Sequence, residues 1–551
     1  MTYIKHTLGS LLKENARIYP DRLAVKYTVL PYERTWKEFD EETDLIAKGL
    51  ISIGMKKGDH LAIWATNVPE WIEILFAAAK IGVVLVTVNT NYKIFEIEYL
   101  LRQSDTKALV MIEGFKDSSY TGIMNELCPE LKENKYKLKS ARFPFLEYII
   151  YCGQNTPKGM LNFSRLKELG EDVSDEEYIE VYNSLNPDEI INMQYTSGTT
   201  GFPKGVMLSH YNIINNGKSI GDCMNFTKDD KLCIPVPLFH CFGLVLAVMA
   251  SVTHATSMVI LPYFRPLDVM NACQNEECTA LHGVPTMFIA ILEHPDFRKY
   301  KFKLRTGIMA GSPCPIKVMR QVVEEMGARE ITIAYGQTEA SPVCTQTTVN
   351  DSIELRVETV GRALPGIEVK IVDPETGSDL GHNKAGELCA RGYNIMRGYY
   401  KMPEATALAV DSEGWLHTGD LAISDEKGYY KIVGRIKDMI IRGGENIYPK
   451  EIEEFLYTHP AVSDVQVVGL PSAAYGEEIC AFIIVKQGMT LTEDEVRDYV
   501  RSNMARHKTP SYVKFVPQFP TTASGKIQKY KLREEGIDTF GLQDASKIET
   551  A

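Results

Sequence analysis

The sequence lacks features that would assign it to several classes of protein. It has no internal repeat and no low-complexity tract, which argues against solenoids and long linkers. Its 11 cysteines are scattered, without a single Cys-x-x-Cys pair. That pattern argues against a disulfide framework and indicates reduced thiols in an intracellular compartment. We therefore expect a cytoplasmic protein.

Long apolar runs are also scarce. The first twenty residues carry charges early and contain no sustained apolar stretch, so the sequence predicts no secretory signal. Residues 232–264 contain no Asp, Glu, Lys or Arg, but prolines, histidines and a glycine interrupt them. The cleanest apolar run, 241–252, is too short to span a bilayer. We predict a buried helix there that also forms the wall of a pocket, and no integral membrane segment.

No conventional metal-binding spacing stands out. Cys273, Cys278 and His282 lie close together, but their spacing matches no usual zinc motif and has no second half.

The charge balance is 60 Lys and Arg against 72 Asp and Glu, a net charge of -12. This balance argues against nucleic acid as a partner.

The length and composition predict a large globular protein. A chain of 551 residues with 44% hydrophobic and 24% charged residues is expected to form two or three domains. Helical and strand patterns alternate in the first part, with a helix predicted over 39–53 and strands over 61–65, 83–88 and 108–112. This alternation favours parallel α/β sheets that bind ligands at their strand ends.

The pattern changes after about residue 360. Residues 361–444 are rich in Gly, Asp and Tyr, with short strands close together, which predicts a small β-rich subdomain. Further on, strands are predicted over 465–469 and 479–486. A helix is predicted over 490–505, with two overlapping capping boxes at its start. The last 110 residues or so are expected to form a separate α+β domain.

The strongest chemical signal is the string YTSGTTGFPKG at 195–205. Three glycines and four Ser or Thr residues make a loop whose N–H groups and hydroxyls can surround phosphates, and Lys204 adds a cation. The string does not fit a Walker A loop.

At this string the chain resembles the adenylate-forming superfamily, which includes acyl-CoA synthetases, luciferases and peptide-synthetase adenylation domains. Further family blocks follow in order: PLFHCFG at 237–243, AGSPCP at 310–315, YGQTE at 335–339, TGD at 418–420, GRIKDMIIRGGENIYPKEIE at 434–453 and TTASGK at 521–526. Among subfamilies it is most similar to medium-chain acyl-CoA synthetases of the family member 2 type.

The resemblance implies a two-step reaction and a set of nucleotide-binding residues. A carboxylate attacks the α-phosphate of ATP and releases pyrophosphate, and the thiol of CoA then attacks the acyl-adenylate. Glu339 and Thr196 are implied to hold Mg²⁺, the expected cofactor, and Tyr335 to stack on adenine. The residues implied to bind ATP or AMP are Thr196, Ser197, Gly198, Thr199, Thr200, Lys204, Gly311, Ser312, Tyr335, Gly336, Thr338, Asp420, Arg435 and Lys526.

The resemblance also implies a mobile carboxy-terminal lid. The domains expected from it are an ATP- and acyl-binding domain over 1–434, a hinge over 435–440 and a lid over 441–551. Asp438 matches the hinge position about which the lid rotates between the half-reactions. Lys526 is implied to stabilise the charge that develops during adenylation, together with Thr196, Glu339 and His240 as catalytic residues. The residues implied to bind CoA are Lys437, Gly443 and Gly444.

The acid substrate is the least readable part of the sequence. The residues implied to surround the acyl group are His240, Phe242, Gly243, Val284, Gly311 and Gly336. No Asp occurs over 235–241 to hold an α-amino group, which disfavours amino acids. A medium-chain fatty acid is favoured, and a cyclic or aromatic acid is the alternative.

Other hypotheses remain open from the sequence alone. One is acyl transfer to a carrier-protein thiol or a luciferase-like oxidation, and another is a non-catalytic nucleotide-binding relative. The reaction could also run in reverse to make ATP. The expected partners are small molecules, with a homodimer left open.

Overall fold

The computed structural model describes residues 3–133, 135–196, 203–311, 314–442, 445–472, 475–504, 506–522 and 525–543. The α-helices are α1 (Leu8–Ile18), α2 (Trp36–Ser52), α3 (Pro69–Lys80), α4 (Ile94–Gln103), α5 (Tyr120–Leu127), α6 (Ser164–Glu171), α7 (Asp175–Asn183), α8 (His210–Cys223), α9 (Ala250–Thr253), α10 (Pro266–Asn275), α11 (Pro285–Leu292), α12 (Ile316–Glu325), α13 (Ile353–Glu358), α14 (Pro403–Ala409), α15 (Pro449–Leu456), α16 (Glu493–Asn503) and α17 (Lys529–Phe540).

The strands of the first 260 residues are β1 (Leu23–Tyr27), β2 (Tyr32–Thr35), β3 (His60–Trp64), β4 (Val84–Thr87), β5 (Thr106–Met111), β6 (Gly114–Phe115), β7 (Ser118–Ser119), β8 (Tyr148–Tyr151), β9 (Leu161–Asn162), β10 (Ile190–Thr196), β11 (Lys204–Ser209), β12 (Lys231–Ile234) and β13 (Ser257–Ile260). The later strands are β14 (Ala280–Gly283), β15 (Thr306–Ala310), β16 (Glu330–Gly336), β17 (Val343–Gln346), β18 (Arg362–Ala363), β19 (Ile367–Val372), β20 (Gly386–Gly392), β21 (Leu416–Ser424), β22 (Tyr430–Arg435), β23 (Ile440–Arg442), β24 (Glu445–Ile447), β25 (Val462–Ser472), β26 (Gly476–Val485) and β27 (Tyr512–Phe515).

Two large sheets form the amino-terminal part of the molecule. One has the strand order β18-β17-β16-β15-β14-β12-β13-β1-β2, and the other has β11-β10-β4-β3-β5-β8-β9. Their central strands pair in parallel, and antiparallel strands lie at both edges of the first sheet and at the β11 edge of the second. The largest apolar cluster contains residues from both sheets and from the helices packed against them, and each sheet has a further cluster of its own. The predicted α/β class is therefore confirmed.

The helices begin where the sequence provides caps. At α2, the Thr35 side chain accepts the Glu38 N–H while the Glu38 side chain accepts the Thr35 N–H, which satisfies two otherwise unpaired backbone donors. At α16, Thr492 and Glu495 form the same arrangement. Of the two capping boxes predicted for this helix, the second is the one that forms, so α16 begins after Thr492 rather than at residue 490.

The charge-free segment folds as a buried helix of an unusual type. Residues Phe242–Met249 form a π-helix, and α9 continues it. All eight π-helical residues are buried, as the sequence predicts. The α-helix that would normally be expected is replaced by the wider π form, which is rare and concentrated at functional sites.

The remaining strands form the smaller units. β19 to β22 make a four-stranded antiparallel sheet in chain order, as predicted for the β-rich region. β23 to β27 form a second sheet, which packs with α15, α16 and α17 on separate apolar clusters. Between the two sheets lies a short 3-10 turn, Ile436–Asp438. None of the helices described is long and apolar enough to cross a membrane.

Candidate active site

The carboxyl ends of three neighbouring parallel strands bring together residues that the sequence singles out. Val284 follows β14, and Gly311 follows β15. Tyr335 and Gly336 are the last two residues of β16. Because parallel strands end at the same edge of a sheet, these residues lie side by side where α/β proteins bind ligands.

Gly311 lies at the centre of this edge. Its φ of +89° is in the left-handed region, and a Cβ atom there would lie 3.2 Å from Val284 Cγ1. The same atom would lie 3.9 Å from both Phe242 Cδ1 and Lys526 Cε. A side chain at this position would therefore fill the space between the strand ends, the π-helix and the lysine. Glycine keeps that space open.

Two other glycines serve the packing of the backbone. A Cβ at Gly336 would lie 1.8 Å from the Pro342 carbonyl oxygen, and one at Gly243 would lie 2.3 Å from the Pro237 carbonyl oxygen. Both positions therefore require glycine for close approach of two backbone segments, whatever further contact with a ligand they make.

Asp420 is fixed by two partners. The Tyr335 hydroxyl donates to Asp420 Oδ2 at 2.7 Å, and Arg435 Nε lies 3.1 Å from Asp420 Oδ1. Arg435 faces Asp420 across the β21–β22 pair. Burial, followed by the charge of Asp420, raises the pKa of Tyr335, which keeps the phenol protonated as a donor.

The position of Asp420 follows from an irregularity in β21. Cys389 pairs with His417 and Glu387 with Leu421, so three residues of β21 lie opposite one residue of β20. Extra residues of this kind form a β-bulge, which redirects side chains next to active sites. The bulge consists of 418–420, the TGD motif.

Glu339 has a partner that the motif analysis missed. The Tyr399 hydroxyl donates to Glu339 Oε1 at 2.8 Å, and the Lys204 ammonium lies 4.8 Å from the centre of the Tyr399 ring. The Met396 N–H also donates to the Glu339 carbonyl at 2.8 Å. This segment thus connects Lys204 to Glu339. Nothing in the sequence around Tyr399 indicates this contact.

The start of the π-helix lies beside Thr338. His240 Nδ1 accepts the Phe242 N–H at 3.1 Å, and Cys241 Sγ lies 3.7 Å from Thr338 Oγ1. Burial, with a further contribution from the charge of Lys526, lowers the pKa of His240 to about 3. The imidazole is therefore neutral and caps the helix as an acceptor.

Lys526 reaches this site from the carboxy-terminal domain. It follows Gly525, whose φ is +82° and whose added Cβ would lie 2.8 Å from Val284 Cγ2. The Lys526 side chain is half-buried, and desolvation is the main cause that lowers the pKa of its amine. The charge of Arg435 lowers this pKa further, whereas those of Asp420 and Glu339 raise it. A cation is thus brought to the strand ends beside Gly311.

The remaining predicted residues are placed at the margins or are not described. Thr196 ends β10 and pairs with Lys204 at the start of β11. The string at 195–205 therefore joins the two strands of a β-hairpin. Asp438 and Lys437 lie in the Ile436–Asp438 turn, where Lys437 is exposed. Outside the described residues lie Ser197, Gly198, Thr199, Thr200, Ser312, Gly443 and Gly444.

This fold and arrangement of polar groups define a class. A paired Asp and Tyr beside open strand ends, a carboxylate near a cationic hairpin, and a lysine contributed by a second domain together suit an enzyme that activates a carboxylate with a nucleotide.

The family of the chain is shown by comparison with known proteins. Residues 12–400 match the family described as AMP-binding enzyme, and residues 451–526 match the AMP-binding enzyme C-terminal domain. The chain belongs to the AMP-binding enzyme family. The resemblance to adenylate-forming enzymes, inferred from the motifs, is confirmed.

Two relatives show the similarity over nearly the whole chain. YngI of Bacillus subtilis, named as an acyl-CoA synthetase, is 56% identical over 544 residues, which cover 98% of this chain and 99% of that protein. The mitochondrial medium-chain acyl-CoA ligase ACSF2 of Bos taurus is 41% identical over 540 residues, which cover 96% of this chain and 87% of that protein.

Solved structures share the fold. An ATP-bound RpMatB-BxBclM chimera superimposes with a TM-score of 0.83 at 28% identity, covering 98% of this chain and 100% of the chimera. A fatty acyl CoA synthetase of Mycobacterium tuberculosis gives 0.72 at 26% identity, covering 97% and 99%. The chain is an AMP-forming acyl-CoA ligase that uses ATP. The enzyme class predicted from sequence is thereby confirmed.

Proposed function

We propose that this ligase activates a medium-chain fatty acid and that the residues around Gly311 carry the chemistry. The observation that supports this most directly is the position of Lys526, which lies beside Gly311 and within the electrostatic reach of Asp420, Glu339 and Arg435. Substrate, nucleotide and lysine would meet at this edge of the sheet.

The nucleotide lies along the Asp420 side in this proposal. Asp420 accepts hydrogen bonds from the ribose hydroxyls, since a fixed carboxylate offers several acceptor sites. Arg435 holds the Asp420 carboxylate in place. Tyr335 packs against adenine while its hydroxyl stays on Asp420. Thr338 contacts the α-phosphate, and Lys204 with the loop at 195–205 holds the outer phosphates.

Magnesium fits the chemistry of Glu339. The Tyr399 hydrogen bond uses only Oε1 of its carboxylate, so Oε2 can serve as a ligand, and Thr196 would add a hydroxyl at the end of β10. Hard oxygen ligands of this kind suit Mg²⁺, which is held by one or two protein groups plus phosphates. When bound, the ion neutralises phosphate charge.

Lys526 then acts on the developing transition state. As the acid attacks the α-phosphate, negative charge grows on the phosphoryl oxygens, and a positioned ammonium stabilises that charge. The neutral His240 and the apolar Phe242 and Val284 exclude water from the acyl group. CoA binds later, after the lid (441–551) has rotated about Asp438. Lys437, Gly443 and Gly444 then bind the CoA molecule.

The preference for a fatty acid rests on an apolar slot and on the relatives. The walls given by Phe242 and Val284 carry no charge, and ACSF2 is named as a medium-chain ligase. Pyrophosphate release with saturated acids of increasing length, and with benzoate-like and alicyclic acids, tests this directly. A maximum at medium-chain acids is expected. A higher kcat/KM with aromatic acids would instead favour the cyclic-acid alternative.

We also propose a cytoplasmic location. No disulfide joins any of the 11 cysteines, all of which lie in the described part of the chain, and ten of them are buried. Cysteines that form no disulfide are typical of proteins in a reducing compartment. Fractionation of cells that express the chain, followed by immunoblotting, tests the location, and recovery from an oxidising compartment would contradict it.

A further inference from the structure

A second cluster of chemically active side chains lies in the four-stranded sheet, apart from the nucleotide groups. It consists of Glu387 and Cys389 on β20 and His417 on β21, and the ligand atoms of all three lie within 4.8 Å of one another. Glu387 and Cys389 are two residues apart on one strand and therefore face the same side. His417 is the cross-strand partner of Cys389.

One of the distances matches that of a tetrahedral metal site, and a second is shorter. Cys389 Sγ lies 3.5 Å from His417 Nδ1. Two ligands bound to zinc at the usual Zn–S and Zn–N lengths are about 3.5 Å apart at a tetrahedral angle. Glu387 Oε2 lies 2.8 Å from the same Nδ1, and about 0.5 Å of outward movement would give the ligand separation of a zinc site.

The other side of the imidazole faces a carboxylate that could become its outer partner after a small movement. His417 Nε2 lies 3.6 Å from Asp411 Oδ2. A carboxylate on the second ring nitrogen orients a metal-binding histidine and raises its basicity. The His417 side chain is 34% exposed, so an ion can enter from solvent, whereas Cys389 is fully buried.

We propose that Glu387, Cys389 and His417 form a binding site for a divalent cation of the zinc class, with Asp411 as the outer partner of His417. Three mixed S, N and O ligands with water in the fourth position suit Zn²⁺ or Co²⁺ better than Mg²⁺. Zinc centres with an open position have three protein ligands, drawn from cysteine, histidine and carboxylate side chains, and a water.

The site would act on the loop that carries Asp420. Glu387 Oε1 accepts the Gly419 N–H at 2.9 Å, and Thr418 donates to the Leu388 carbonyl at 2.6 Å. A cation bound to Glu387 would therefore act on Gly419, the residue before Asp420, which is the proposed ribose-binding residue. The bound cation would stabilise the bulge without contacting the nucleotide.

Cobalt titration of the full chain tests the site. The protein is treated with a chelator, dialysed and titrated with Co²⁺ in the absence of nucleotide, and the thiolate-to-cobalt charge-transfer band is recorded. One equivalent is expected to produce the band. Zn²⁺ is expected to remove it, because it binds such ligands more tightly than Co²⁺.

Variants assign the ligands. Cys389→Ser should abolish the band and weaken zinc binding, His417→Gln should raise the Kd for Zn²⁺ at least tenfold, and Asp411→Asn should raise it about tenfold. Cys480→Ser, at another buried strand cysteine, should leave band and Kd unchanged. Circular dichroism checks the fold, and His417→Gln, at the partly exposed position, serves if Cys389→Ser fails to fold.

Three results would overturn the proposal. These are a wild-type chain that shows no band, a band that survives in Cys389→Ser, and a Kd for Zn²⁺ that is the same in His417→Gln as in wild type.

Discussion

The two sides of the candidate active site are held in different ways. On the body side, Asp420 has Tyr335 and Arg435 as partners, and Glu339 has Tyr399. On the lid side, Lys526 lies in the loop between β27 and α17, two elements of the lid. The side chain from the lid is brought to the strand ends without a direct ion pair in the described residues.

The contacts between lid and body are correspondingly sparse. Ser463 donates to Glu293 Oε1 at 3.0 Å at the surface, and Lys450 donates to the Ile432 carbonyl at 3.0 Å. Where the structure describes them, ion pairs that involve 441–543 join two residues of that unit. The lid has separate apolar clusters. The body thus holds its groups through its own hydrogen bonds, whereas in our proposal Lys526 moves with the lid.

The largest effect on activity is expected from removing the Lys526 side chain, which the lid contributes to the site. Lys526→Ala should lower acid-dependent pyrophosphate release by about 10²–10³-fold, because a charge-stabilising group in a water-poor site is worth that much. Conversion of supplied acyl-adenylate to acyl-CoA should change less than about threefold, since the lid has then moved away. Rapid-quench measurement of the two half-reactions checks both.

Lys531→Ala is the matched control for this prediction. Lys531 is an exposed lysine on α17, in the same unit. Its removal should leave both half-reactions unchanged. An equal loss in both half-reactions of Lys526→Ala would contradict the distinction between lid and body.

A smaller effect is expected on the body side. Asp420→Asn removes a charged acceptor and leaves Arg435 unpaired, so the KM for ATP should rise about tenfold or more. Tyr335→Phe removes only the hydroxyl and should raise it a few-fold, because one buried hydrogen bond contributes about 1 kcal/mol. Steady-state kinetics at varied ATP gives both values. A larger effect from Tyr335→Phe than from Asp420→Asn would be inconsistent with this order.

The loop before Lys526 can be altered without touching its charge. Gly525→Ala places a Cβ 2.8 Å from Val284 Cγ2 at a φ of +82°, so the loop must shift and adenylation should fall about tenfold. The strain cost itself is about 1–2 kcal/mol. The readout is single-turnover formation of the acyl-adenylate.

Gly541 controls for backbone strain alone. It has a φ of +67°, and a Cβ there would meet nothing within 4 Å. Gly541→Ala should therefore keep wild-type adenylation. Partial recovery of Gly525→Ala by a second change, Val284→Ala, would show that the clash is with Val284. Equal losses in the two glycine variants would sink this explanation.

The smallest effect is expected at Tyr399. Tyr399→Phe removes the hydroxyl that fixes Glu339, and a twofold to fivefold rise in the Mg²⁺ concentration for half-maximal rate is expected from one lost hydrogen bond. Tyr400→Phe, which loses a hydrogen bond to Asp105 outside the site, is the control. No change in the Mg²⁺ dependence of Tyr399→Phe would remove Tyr399 from the site.

Much of the fold could be predicted because its signals are local. The strand predicted over 61–65 is β3, and the helix predicted over 39–53 is α2, each within a few residues, because apolar spacing and caps fix them. The π form of Phe242–Met249 could not be predicted, since eight apolar residues carry no signal that separates π from α.

The motifs predicted the residues of the candidate site, but not the side chains that contact them. Asp420 and Glu339 were identified by their motif blocks, whereas Tyr399 lies 60 residues from Glu339 in a segment with no chemical signal of its own. Cys389 and His417 likewise meet only through strand pairing across a bulge. Contacts of this kind depend on register, which the sequence around either residue does not specify.

We propose that the lid takes this position only for adenylation. Glu293→Cys with Ser463→Cys, joined by a short thiol-specific crosslinker across their 3.0 Å surface contact, would hold the lid in place. Ten of the 11 native cysteines are buried, which limits side reactions. The locked enzyme should form acyl-adenylate and pyrophosphate in one turnover but no acyl-CoA until the link is cleaved. Acyl-CoA formation at the wild-type rate in the locked enzyme would contradict the account.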